Sequence, residues 1–113
     1  MITVYGIKNC DTVKKALLWL EKNKINYDFV DFKKTPPTVD QIVSWKKDLG
    51  VLPVNPKGRT YKALETEYQN ASEQKKMDLM IEQTSLIKRP LVTIKNKCVF
   101  IGFDEVEFKK IFL

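Results

Sequence analysis

Hydrophobic and polar positions change period several times along the chain, and each change marks an element. Ile2 to Tyr5 is a short apolar run that reads as a buried strand, with Gly6 opening a turn. From Asp11 to about Lys24, Val13, Ala16, Leu17 and Leu20 recur at helical spacing, and Lys14, Lys15, Glu21 and Lys22 supply the polar face. Asp11 or Thr12 suits the start of this helix as a cap. Tyr27 to Phe32 alternates and is rich in aromatic and β-branched residues, which predicts a second strand. A strand, a helix and a strand make a βαβ unit, so the two strands are expected to be parallel neighbours.

Pro36-Pro37 stops any helix, and Thr38 caps the next one, which runs to about Leu49 and ends at Gly50. Val51 to Arg59 carries Pro53, Pro56 and Gly58 and reads as loop, with one helical turn expected over Tyr61 to Leu64. Ser72 caps a further helix to about Gln83, with Met77, Met80 and Ile81 on its apolar face. Leu91 to Ile94 and Cys98 to Ile101 flank Lys95-Asn96-Lys97 and predict a hairpin. Asp104 caps a last helix, with Val106, Ile111 and Leu113 as core candidates. The order is β-α-β, a helical middle, then β-β-α. No repeat or linker interrupts it, and 113 residues suit one domain over 1–113.

Composition mostly excludes. A 43% hydrophobic and 30% charged chain is of ordinary globular type. No apolar run approaches the ~18 residues of a membrane span. The N-terminus has neither the basic lead nor the long apolar stretch of a secretory signal, so the cytoplasm is the expected compartment. The net charge of +6 favours an anion or an acidic partner. The lysines are scattered from Lys8 to Lys110 with no arginine-rich patch, which argues against direct nucleic-acid binding. There is no histidine, which removes Ser-His-Asp and Cys-His catalysis and the common histidine-containing metal sites. Two cysteines cannot close a zinc site, and a reducing compartment argues against a disulfide between them. Any chemistry must run on thiol, carboxylate, lysine and arginine.

Cys10 falls between the first strand and the first helix. The first amides of a helix have no internal partners, and with the helix dipole they favour a negative charge. A thiol placed there loses its proton more easily, and the thiolate is the nucleophile. Lys8 is close enough in sequence to add to the field. Cys98 lies in an apolar strand and reads as core. A strand, a cysteine and a helix also open a thioredoxin-type fold, but Val13 stands where a C-x-x-C pair would have its second thiol. A single-thiol mechanism needs an outside thiol, glutathione or a partner protein's cysteine, to resolve it. Arg89, just ahead of the third strand, has the planar fork that holds an oxyanion or carboxylate. From position alone the Arg89–Pro90 bond is expected to be trans, since only about 5% of X–Pro bonds are cis.

The run Tyr5-Gly6-Ile7-Lys8-Asn9-Cys10-Asp11-Thr12-Val13-Lys14-Lys15-Ala16 resembles the opening of the arsenate reductase (ArsC) family, above all its YffB-type branch. Ile87-Lys88-Arg89-Pro90-Leu91 is similar to the Arg-Pro signature of that family, and Gly102-Phe103-Asp104-Glu105 to the start of its last helix. The resemblance implies an α/β, thioredoxin-like fold, a four-stranded mixed sheet with a helical insertion over about 36–84, and a cis Pro90 facing Cys10. It implies arsenic chemistry on one cysteine, with no resident cofactor, glutathione as cosubstrate and glutaredoxin completing the cycle. It places Lys8, Asn9, Asp11, Thr12, Lys57, Arg59, Arg89 and Pro90 on the substrate and anion side of Cys10. Relatives of this kind hold the oxyanion with three arginines. Here Arg89 is one, Lys57 or Arg59 stands for the second, and Val99 to Gly102 offers no basic residue for the third. An arsenate-like anion needs several charge-assisted donors. The expectation is therefore a glutathione-dependent thiol oxidoreductase, with a true arsenate reductase as the alternative. The resemblance extends to Spx regulators, which dock on the RNA polymerase α subunit and offer a third, non-enzymatic reading.

Overall fold

The computed structural model describes residues 1–113. The strands are β1 (Ile2–Gly6), β2 (Asp28–Asp31), β3 (Leu91–Ile94) and β4 (Lys97–Ile101), and the helices are α1 (Asp11–Lys22), α2 (Val39–Leu49), α3 (Arg59–Gln69), α4 (Glu73–Glu82) and α5 (Glu105–Phe112). They form two compact units: Met1–Thr35 with Arg89–Leu113, and Pro36–Lys88.

The first unit is the sheet and two helices. The strand order is β2-β1-β3-β4. β1 runs parallel to β2, as the βαβ reading predicts, and antiparallel to β3, which pairs antiparallel with β4. The sheet is therefore mixed. Its hairpin turns on Lys95 and Asn96, both at positive φ (52° and 68°), the conformation that matches strand twist in a two-residue turn. Val4 and Val92 from the sheet, Ala16, Trp19 and Leu20 from α1, and Phe108 from α5 form the core. Phe108 is fully buried and meets Trp19, Phe100, Phe103 and Phe112 edge to face, at centroid distances of 4.8 to 5.8 Å. Side chains of this size contribute ~1.5–3 kcal/mol each on burial, and edge-to-face pairs add to that.

The last helix corrects the sequence reading. Val106 and Leu113 are 60% and 71% exposed, and Ile111 is half-buried. The apolar face is instead Phe108 and Phe112, four residues apart. At the front of α1, the cap is Cys10 and not Asp11 or Thr12, because the Cys10 carbonyl already accepts the first helical bond, from the Lys14 amide at 3.0 Å.

The second unit is helical. Thr38 and Gln41 form a reciprocal capping box at the start of α2, and Gly50 ends it in the left-handed region at φ 84°. Ser72 caps α4 through the Lys75 amide at 3.2 Å. Met77 and Met80 are buried as expected, joined by Leu79, while Ile81 is half-buried. α3 extends over eleven residues where one turn over Tyr61 to Leu64 is expected. Only Tyr68 of this helix is buried, and it packs on Tyr61 at 5.5 Å. A three-residue 3-10 turn, Thr84–Leu86, returns the chain, and Ile87 bridges to Val54.

Candidate active site

Sheet register assembles the site. Tyr5 of β1 lies opposite Leu91 of β3 in an antiparallel pair. The residues that follow β1 are therefore set beside those that precede β3. That brings the Gly6-to-Cys10 loop to Arg89 and Pro90. The Arg89–Pro90 bond is cis, as the family resemblance implies and against the expectation from position alone. Pro90 is buried, and its carbonyl accepts from the Gly102 amide at 2.8 Å.

Cys10 is the N-cap residue of α1, with extended backbone at φ −106° and ψ 121°. Its amide donates to the Ile7 carbonyl at 3.2 Å, which closes the loop. The side chain makes no capping hydrogen bond, and its surroundings favour the anion. Partial burial pushes the thiol up, but the Val13 amide, the hydrogen bond and charge of Arg89, and the Thr12 amide together outweigh it and hold Cys10 below an ordinary thiol. These amides belong to the second and third helical residues, the donors that an N-cap group faces.

Gly6 allows this geometry. A Cβ there would lie 2.9 Å from Cγ2 of Val13, closer than real contacts come. Only glycine lets the end of β1 and the first turn of α1 approach so closely. Val13 is fully buried. Sequence reasoning takes Val13 as a core residue and as a missing second cysteine. It overlooks the amide of that residue as a partner for the thiolate. The signal was available in the spacing, because Val13 is the third residue after the cysteine.

The other expected site residues divide by unit. Lys8, Asn9, Asp11 and Thr12 flank Cys10 and are all exposed. Lys57 and Arg59 belong to the helical unit. Lys57 is exposed, with its amide on the Asn55 side chain at 3.2 Å, and Arg59 is the exposed first residue of α3. Cys98 is 4% exposed with its Sγ 4.0 Å from the Phe100 carbonyl, so it is a core residue as read. No helix is long and apolar enough to cross a membrane.

Comparison with known proteins shows the family and the fold. The model of the ArsC family matches residues 5–111. The chain belongs to the ArsC family. Among its relatives is an uncharacterized protein of Haemophilus influenzae, 36% identical over 99% of both chains. The global transcriptional regulator Spx 2 of Bacillus anthracis is 26% identical over 97% of this chain and 86% of its own length. Two solved structures superpose with a TM-score of 0.83: a YFFB protein, 31% identical over 97% of each chain, and a possible arsenate reductase from Streptococcus mutans, 30% identical over 99% of this chain and 98% of its own. The mixed sheet described above is thus the thioredoxin-like sheet of an ArsC protein, and the fold is arsenate-reductase-like.

Proposed function

We propose that this ArsC protein is a thiol oxidoreductase in which Cys10 is the nucleophile and glutathione the cosubstrate. One observation carries the reading: Cys10 is acidified by two helix amides and Arg89 while remaining partly open to solvent. The thiolate attacks one sulfur of a disulfide, the old S–S bond breaks, the other sulfur leaves with the electron pair as a thiolate, and Cys10 is left in a mixed disulfide. Val13 offers no thiol to resolve it and Cys98 is buried, so a second glutathione or a glutaredoxin-type thiol must. Arg89 and Pro90 shape the binding side, with Lys8, Asn9, Asp11 and Thr12 around the sulfur and Lys57 or Arg59 as further anion donors. No cofactor is needed. The reading puts the protein in the cytoplasm, where cysteines stay reduced.

Arsenate is the less favoured substrate. In the sheet unit Arg89 is joined by no basic residue over Val99 to Gly102, which leaves a thin cradle for an oxyanion. The test is the rate of iodoacetamide alkylation against pH, followed by mass analysis after exposure to oxidised glutathione. Cys10 is expected to titrate below the free value of about 8.5 and to take up one glutathione. A Cys10 that titrates at that value and forms no adduct would end this reading.

A second reading rests on the likeness to an Spx regulator along nearly the whole chain. In it the protein docks on RNA polymerase, with Cys10 unused in turnover. Binding to the C-terminal domain of the polymerase α subunit at micromolar concentration would favour it, and Cys10→Ser should leave that binding intact.

A further inference from the structure

The sheet carries its chemistry at one edge, and the register says what else reaches that edge. β1 and β2 are parallel with Gly6 opposite Asp31, so the residues after each strand leave the sheet side by side. The Phe32 amide donates to the Gly6 carbonyl at 2.8 Å, and the Tyr5 and Phe32 rings stack at 5.8 Å. The chain then turns at once. The Lys33 amide takes the Asp31 carboxylate at 2.9 Å, and the Lys34 and Thr35 amides take the Asp31 carbonyl at 3.0 and 2.8 Å. Asp31 keeps its charge while it builds the turn, so it offsets one of the two lysines that follow. Lys33 and Lys34 are exposed, and neither takes part in the ion pairs Lys46–Glu73 and Lys110–Glu107. Exposed Lys8 lies in the adjoining loop, whose Ile7 carbonyl holds the Cys10 amide. Asp11 offsets another of these charges, so three lysines stand against two carboxylates on this side.

The opposite flank has the other sign. Asp104 and Glu105 follow β4, whose Ile101 pairs with Leu91, one residue past Pro90. The edge is therefore graded, cationic on the β2 side and acidic on the β4 side, with Cys10 and Arg89 between them. Exposed charges act over about a Debye length, ~10 Å at 0.1 M salt, and can raise encounter rates tenfold or more.

We infer that Lys33 and Lys34, with Lys8, are specificity determinants that favour small thiols and disulfides carrying carboxylates near the sulfur over neutral ones. The inference rests on the thiol-exchange reading given above. In the step concerned, an incoming thiolate attacks the outer sulfur of a Cys10 mixed disulfide. A new S–S bond forms, the old one breaks, and its electron pair leaves on Cys10 as thiolate, so the incoming thiol is oxidised and Cys10 reduced.

The experiment converts Cys10 to its mixed disulfide by exchange with hydroxyethyl disulfide, releasing one mercaptoethanol, then times reduction by glutathione and by mercaptoethanol at low salt. Four proteins are compared: the wild type, Lys33→Gln/Lys34→Gln, Lys33→Glu/Lys34→Glu, and a Lys22→Glu/Lys97→Glu control. The control makes the same charge change at the end of α1 and the start of β4, away from the edge in question. The Lys33→Glu/Lys34→Glu protein should lose about tenfold in rate with glutathione and nothing with mercaptoethanol. The glutamine pair should fall between, and the control should match the wild type. Added salt should erase the difference. Equal slowing with both thiols, or equal loss in the control, would overturn the inference. Exchange with neither thiol would instead refute the thiol-exchange reading, whereas exchange with both and no charge preference would refute only the role of the lysines.

Discussion

The Cys10 sulfur stands at an N-cap where two amides and Arg89 favour its anion over the thiol. Arg89 is the donor that can be removed without touching α1. Arg89→Leu should raise the Cys10 pKa and slow alkylation severalfold at neutral pH, because it removes both a charge and a hydrogen bond. Arg89→Lys should recover part of the effect, since a point charge replaces a planar fork. Linkage fixes a second outcome. The Cys10 pKa is lowered in the folded state, so its stabilising contribution is present above the unfolded thiol value of about 8.5 and fades as pH falls through the folded value. The stability of the wild type relative to Cys10→Ser should therefore grow with pH across that window, as read by urea unfolding. At this scale the sequence is informative for whatever depends on neighbours in the chain. Polar residues around Cys10 mark it as a candidate site, and the apolar run around Cys98 marks it as core. The hydrogen bond from Arg89 depends on strand register, which no local pattern states.

At the scale of elements, the front of α1 and the end of β1 are one device. Gly6→Ala would place a methyl 2.9 Å from Val13. The helix start must move, and with it the amides that face Cys10. The expected result is lower stability together with a raised Cys10 pKa, and Val13→Ala in the same chain should restore both in part. Denaturant midpoints and the alkylation profile check this. Elements with strong chemical punctuation were legible: Thr38 and Gly50 around α2, Ser72 before α4, and Asp104 before α5. α3 was not, because Gly58 gives its start no side-chain cap and its inner face is the narrow row Tyr61, Leu64 and Tyr68. The face of α5 was misread for a related reason. In a helix of eight residues, Val106 and Leu113 compete with Phe108 and Phe112 as candidate stripes, and the aromatic core settles the choice. The cis bond before Pro90 came only from likeness to a family, since most X–Pro bonds are trans.

At the scale of the molecule, the chain leaves the sheet unit after Thr35 and returns to it at Arg89. The core of the sheet unit therefore depends on residues from both ends of the sequence, Val4 and Phe108 among them. The helical unit is built from one continuous stretch. Its local contacts favour early formation, whereas β1 must wait for β3 across more than eighty residues before the Cys10 site exists. Each unit also contains one buried tryptophan, Trp19 in the sheet unit and Trp45 in the helical one. Nature has thus supplied a separate fluorophore for each half. Trp19→Phe leaves emission from the inserted helices alone, and Trp45→Phe leaves emission from the sheet alone. If 1–113 behaves as one domain, the two emission curves should trace a single urea transition once each is referred to the stability of its own variant by circular dichroism. Curves that part company would mean that the insertion melts on its own terms while the sulfur-bearing sheet stays folded.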